Sequence, residues 1–301
     1  MRGQSVDAVI QECFATGLPE VLWNLYRTAE VCRLIPVAGG RIAALVQHSF
    51  HLGWRLFSLG GKKGAVGIHH HRSRGRTGLE GLSDPVRRYF KEAIAPGTPL
   101  ATSASFRMHG SIKLGRRWVP FRARQVLAPH HGFVWAARAG GMIVGSDRYV
   151  GGQGAMDWKL LGLIRVMHAD GPDLSRSAAG RAGAEPLWVR TALLPRFGVT
   201  WTATDPRHIT ASYRLDDTQL DVRYALGDDA RVRLVVFDRW GDPSNGGSWA
   251  YYSFGFEATD YATFDGVTIP GAGRAGWFHG TDRWHEGEFF RSEITNYHLV
   301  A

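Results

Sequence analysis

Three short constellations carry residue types whose spacing suits chemistry. After Gly171-Pro172-Asp173, the residues Ser177, Arg181 and Glu185 recur at four-residue steps, so one helix face presents all three. Small residues surround them (Ala178, Ala179, Gly180, Ala182, Gly183), which lets the helix backbone lie close to a sheet and aims long charged side chains at a cavity mouth. In Ser146-Asp147-Arg148-Tyr149, strand alternation puts Asp147 and Tyr149 on one face and Arg148 on the other. Phe237-Asp238-Arg239-Trp240 closes an apolar run containing Val232, Leu234, Val235 and Val236, where an aspartate is either a hairpin starter or an acid/base at a barrel rim. The chemistry these groups suit is proton transfer on a bound small molecule. Glu185 or Asp238 would be the acid/base and Arg181 the anchor for a carboxylate or enolate oxygen. Asp147, a third candidate catalytic carboxylate, would orient the substrate with Tyr149. Each also has a plain structural reading, which for Arg181 and Glu185 is a helix ion pair worth a few tenths of a kcal/mol.

Other motifs fail on context. Gly271-Ala272-Gly273-Arg274-Ala275-Gly276 matches the dinucleotide fingerprint in letters, but Pro270 precedes it and Trp277-Phe278-His279-Gly280 follows as a further strand. The fingerprint needs a strand feeding a helix whose N-terminus meets a pyrophosphate, so this stretch is expected to be a Gly-rich hairpin turn. His285-Glu286 begins a zinc-protease pattern that Phe289 breaks. His279, Asp282, His285 and Glu288 read as turn residues of an exposed hairpin, and His69-His70-His71 as part of a solvated tract. No metal and no cofactor are expected.

The elements that would position these groups follow from periodicity. Residues 1–60 show helical spacing and read as a helical extension, and residues 61–80 form a basic, Gly-rich linker. From residue 81 a short helix opens at Ser83 or Asp84 with Pro85 in its first turn. Alternating segments follow: Ser103–Leu114, Arg117–Leu127, Gly132–Ala139, Met142–Val150 and, less regularly, Gln153–Val166. A helix capped by Asp173 interrupts the series. Strands then resume at Val199–Thr204, His208–Leu215, Gln219–Ala225 and Arg231–Trp240. Trp249–Glu257, Val267–Ile269, Gly276–His279 and Phe289–His298 complete the set. A dozen short strands with an inserted helix imply α+β with a large curved antiparallel sheet, a half-barrel or barrel. The 11 tryptophans among 301 residues suit an apolar cavity, with Trp135, Trp188 and Trp277 as candidate walls.

The charge balance argues against nucleic acid. Lys and Arg total 36 against 27 Asp and Glu, for a formal charge of +9. Residues 1–80 hold 10 of those cations against 5 acids, and no nucleic-acid-binding motif accompanies them. The aromatic and basic stretch 41–76 reads either as a helical hairpin with its linker or as a weak membrane-surface contact. Cys13 and Cys32 read as buried thiols of a reducing compartment. With no signal peptide in the opening residues, the expected location is cytoplasmic, with peripheral membrane attachment as the variant. Oligomeric state has no signature.

The run from Leu82 to Tyr89 resembles the opening of an uncharacterised bacterial domain-of-unknown-function family. Trp118-Val119-Pro120-Phe121, Gly132-Phe133-Val134-Trp135, Asp147-Arg148-Tyr149, the segment from Gly171 to Pro195 and Gly287-Glu288-Phe289-Phe290-Arg291 carry the resemblance further. It spans roughly residues 82–298, with Pro186 and Arg190 departing from the pattern, and implies no particular activity. The strand–helix–strand order is similar to the curved half-barrels of outer-membrane lipoprotein carriers and of the VioE-type pigment-pathway enzyme. Together these readings imply a protein that binds a hydrophobic small molecule in a β-rich cavity. A cofactor-independent cyclisation, isomerisation or elimination would be its activity; the alternative is a non-catalytic carrier of lipid or another apolar ligand at the membrane surface.

Overall fold

The chain is described by a computed structural model covering residues 78–300 apart from Asn245. The helical extension 1–60, the linker up to residue 77, both cysteines and the stretch 41–76 lie outside the described residues.

Helix α1 (Asp84–Ala93) starts after Ser83, which has extended backbone angles but makes no side-chain cap; Val86, Tyr89, Phe90 and Ala93 form its buried stripe. Six strands follow as hairpins: β1 (Ser103–Leu114), β2 (Arg117–Ala128), β3 (Gly132–Ala139), β4 (Ile143–Val150), β5 (Gln153–Leu160) and β6 (Ile164–Ala169). Helix α2 (Pro172–Ala184) and three short 3-10 turns, Glu185–Trp188, Arg190–Leu193 and Pro195–Phe197, then cross to the other side. The second series is β7 (Thr200–Asp205), β8 (His208–Leu215), β9 (Thr218–Leu226), β10 (Val232–Gly241), β11 (Ala250–Phe264), β12 (Val267–Trp277), a helical turn α3 (Trp284–Gly287) and β13 (Glu288–Val300).

All thirteen strands form one antiparallel sheet in the order β6-β5-β4-β3-β2-β1-β13-β12-β11-β10-β9-β8-β7. The two wings meet where β1 pairs with β13, from Ser103 opposite Val300 to Ile112 opposite Phe290. The edges β6 and β7 do not pair with each other, so the barrel stays open. Helix α2 packs on β3, β4 and β5 of one wing and on β9 and β10 of the other, and the sheet curves around it. Its small residues make this approach possible: a Cβ at Gly183 would stand 2.2 Å from Leu220 Cδ1. The expected α+β architecture with a curved antiparallel half-barrel and an inserted helix is what the chain adopts.

Three local expectations need correction. The segment 153–166 is two strands, divided by a three-residue turn, 161–163, in which Leu161 and Gly162 have φ of 52° and 72°. The glycine run 271–276 lies inside the continuous strand β12 rather than in a turn. Its glycines serve close packing: a Cβ on Gly273 would lie 2.3 Å from Phe256 Cζ, and one on Gly276 would meet the Gly287 carbonyl at 2.3 Å. Gly171, not Asp173, occupies the N-cap of α2, and Asp173 instead accepts a hydrogen bond from Trp240 Nε1 at 2.9 Å. Among the described residues no helix is long and apolar enough to cross a membrane.

Candidate functional site

Between α2 and the concave face of the sheet lies a cavity of about 890 Å³. Its walls are aromatic: Phe133 and Trp135 from β3, Trp188 from the first 3-10 turn, Phe254 and Phe256 from β11, and Trp277 from β12. Strand alternation selects these side chains. Phe133, Trp135 and Ala137, buried positions of β3, are two residues apart, as are Phe254 and Phe256. Trp188 donates to the Pro270 carbonyl at 3.1 Å, which fixes its ring against the wall.

One polar cluster interrupts this surface. Arg181, on the cavity face of α2, donates through Nε to Glu185 Oε1 at 2.7 Å and through Nη1 to Asp147 Oδ2 at 3.2 Å. Asp147 Oδ1 accepts from Trp158 Nε1 at 2.9 Å, and Glu185 Oε2 accepts from Gln125 Nε2. The Arg181 guanidinium also lies over the Phe133 ring, 4.3 Å from its centroid. Burial pushes the Asp147 carboxyl above its ordinary value, and Arg181 and the Trp158 hydrogen bond only partly offset the shift.

The second cavity guanidinium is held differently. Arg239 on β10 lies over the rings of Phe254 and Trp277, 4.8 and 4.9 Å from their centroids, and donates through Nε to the Ser177 carbonyl at 3.3 Å. Among the described residues its Nη1 and Nη2 have no hydrogen-bonding protein partner. Burial and the like charge of Arg181 pull its pKa down to about 9, against the opposing pull of Glu185 and Asp147. The arrangement is an aromatic-walled chamber in which Arg181, Asp147 and Glu185 form one hydrogen-bonded ion network, while the outer nitrogens of Arg239 point to no protein acceptor.

The predicted site residues divide accordingly. Asp147, Arg181, Glu185, Trp135, Trp188 and Trp277 all line the cavity. Asp238 does not: its carboxylate faces the outside of the sheet, 60% exposed, 3.4 Å from Arg223. Tyr149 is buried outside the cavity lining, and its hydroxyl donates to Asp216 Oδ2 at 2.5 Å, tying β4 to the β8–β9 turn. Burial and that aspartate raise its pKa. Sequence reasoning passed over Gln125 and Arg239. The signal for Arg239 was present in the alternation Val235, Phe237, Arg239, Gly241, all of which line the cavity. A bulge between Val232 and Leu234 shifts the phase of β10 and hides this pattern behind the earlier apolar run.

The signature of a family described only as being of unknown function, DUF6544, matches residues 73–289. No curated protein matches the chain. Among solved structures, a LolA superfamily protein from Nitrosomonas europaea is similar at 8% identity and a TM-score of 0.38, covering 71% of this chain and 93% of its own. A DUF1329 family protein from Desulfovibrio piger is similar at 10% identity and a TM-score of 0.34, covering 72% of this chain and 91% of its own. At these TM-scores the likeness carries no weight for function.

Proposed function

The chain belongs to the DUF6544 family of unknown function, and on that premise we propose that residues 81–301 form a binding unit for one apolar molecule with an anionic end, held and released without chemical change. The observation that carries this reading is Arg239: a half-buried guanidinium, clamped by Phe254 and Trp277, whose outer nitrogens meet no protein acceptor within an aromatic-walled cavity of about 890 Å³. A long acyl chain would lie on the aromatic walls and its carboxylate or phosphate would meet Arg239, a charge-assisted pairing in a desolvated setting.

The carrier reading is preferred to cyclisation, isomerisation or elimination because of what the two cavity carboxylates already do. Each of the four oxygens of Asp147 and Glu185 accepts a protein hydrogen bond, so both acids hold Arg181 in place. A general base needs an oxygen within reach of a substrate proton. The raised pKa of Asp147 is the one observation on the catalytic side.

Two measurements test the proposal. Mass spectrometry of an organic extract of the purified protein is expected to find acyl lipids with an acidic headgroup. In parallel, oleate and oleyl alcohol would compete with a naphthalene-sulfonate dye for the cavity. Oleate is expected to win, and Arg239→Met to cost it about tenfold or more in affinity while leaving the alcohol unchanged. Equal displacement by acid and alcohol, or equal losses in the variant, would remove Arg239 as the anchor.

A further inference from the structure

The described residues expose nine large hydrophobic side chains, and seven of them lie along one rim of the sheet: Leu114, Met142 and five residues between 161 and 167. The rim is made of three neighbouring hairpin tips. The β3–β4 turn touches the start of β2 through Gly140 N, which donates to the Pro120 carbonyl at 2.8 Å, and the β5–β6 turn touches the β3–β4 turn through Leu161 N, which donates to the Met142 carbonyl at 2.7 Å. At its other end the row reaches the cavity, since Ile112, Lys113, Gly115 and Arg116 of the first hairpin line the chamber.

Charge on this rim has one sign. Segments 112–118, 138–143 and 159–166 hold six Lys and Arg residues and no Asp or Glu. Lys159 and Arg165 pair with Asp157, which lies just inside β5. The outermost apolar side chains are also badly chosen for folding. Leu161, 54% exposed, takes φ 52° at the first position of the turn 161–163, where Asn or Gly would be favoured, and Leu163 at its end is 78% exposed. Neither leucine side chain is buried enough to contribute to the core.

We infer that these three hairpin tips dock the protein on the surface of an anionic phospholipid bilayer. Leu161, Leu163 and Met142 would enter the acyl boundary, and the rim cations would lie among the headgroups. This surface is made of residues other than 41–76 and does not depend on what the cavity holds; its proximity to the chamber would place the cavity wall near the lipid.

The test compares the full chain with a Leu161→Asn, Leu163→Ser double variant in sedimentation with vesicles. One set is phosphatidylcholine alone and the other an equal mixture with phosphatidylglycerol. Wild type is expected to bind the mixed vesicles, to release them at high salt and to ignore the neutral ones. The double variant is expected to bind roughly tenfold or more weakly. Asn tolerates the left-handed turn better than Leu, so the variant should melt no lower than wild type, and loss of binding cannot be put down to unfolding. Undiminished vesicle binding by the variant would overturn the inference and move the contact to residues 1–77. Absence of binding by wild type, with an oligomer that the double variant dissociates, would overturn it in favour of self-association through the β6 edge. Neither result touches the dye competition that tests the cavity.

Discussion

At the residue scale, Arg239 predicts a pH dependence for anion binding in the cavity. Its pKa falls from the ordinary 12.5 to about 9 in the folded chain. Between those limits the unfolded chain binds more protons, so this residue's contribution to stability rises with pH across that window. Binding of an anion runs the other way, because it needs the cation: oleate affinity is expected to hold below about 9 and fall above it, whereas Arg239→Met should show no such step. Glu185 is the counterpart case. Removing it with Glu185→Ala leaves Arg181 Nε and Gln125 Nε2 without an acceptor in a buried setting, so urea denaturation should show a loss of about 3–5 kcal/mol, with Glu185→Gln recovering part. Most of this cluster was legible because Arg181 and Glu185 share a helix face and Asp147 follows strand alternation. Arg239 was not, since a bulge in β10 moved it one phase from where the apolar run placed it. Gln125 was invisible for a different reason: a neutral amide in a strand declares a role only when its partner across the fold is known.

At the scale of elements, hairpins marked by Gly, Asp or Pro were readable to within a residue or two, as at Gly132–Ala139 and His208–Leu215. Two failures have physical causes. The β5–β6 turn carries Leu161, a residue poor at positive φ, so turn chemistry gave no warning. The glycines of β12 imitate a turn because they are conformationally free, yet they are there for space beneath Phe256 and beside Gly287. Gly273→Ala should therefore destabilise the chain by about 1–3 kcal/mol, although alanine suits an ordinary strand better than glycine does. A melting temperature equal to or above that of wild type would show that Phe256 has another place to go. Such a shift would also redraw the cavity wall.

For the whole molecule, the sequence predicted a large curved antiparallel sheet, half-barrel or barrel, but neither its openness nor the strand order, because nothing local says that β13 must find β1 across nearly the full length of the domain. Each wing is a run of neighbouring hairpins, whereas the seam between the wings is the most distant strand pairing among the described residues. Loop-closure entropy makes such a contact slow to form, so the wings are expected to gain their hairpins before the seam closes.

The geometry of that seam also sets how the fold answers a pull. Ser103 and Val300 are partners at the same end of an antiparallel ladder, so tension applied between them loads one pair of backbone hydrogen bonds at a time, as in opening a zipper, instead of shearing the whole row together. In optical tweezers, handles at these two positions should part the wings at low force, and handles at Ser103 and Glu288, which pull along the ladder, should need markedly more. A protein-unfolding motor that seized either strand here would meet little mechanical resistance, and the first thing it breached would be the junction over the chamber.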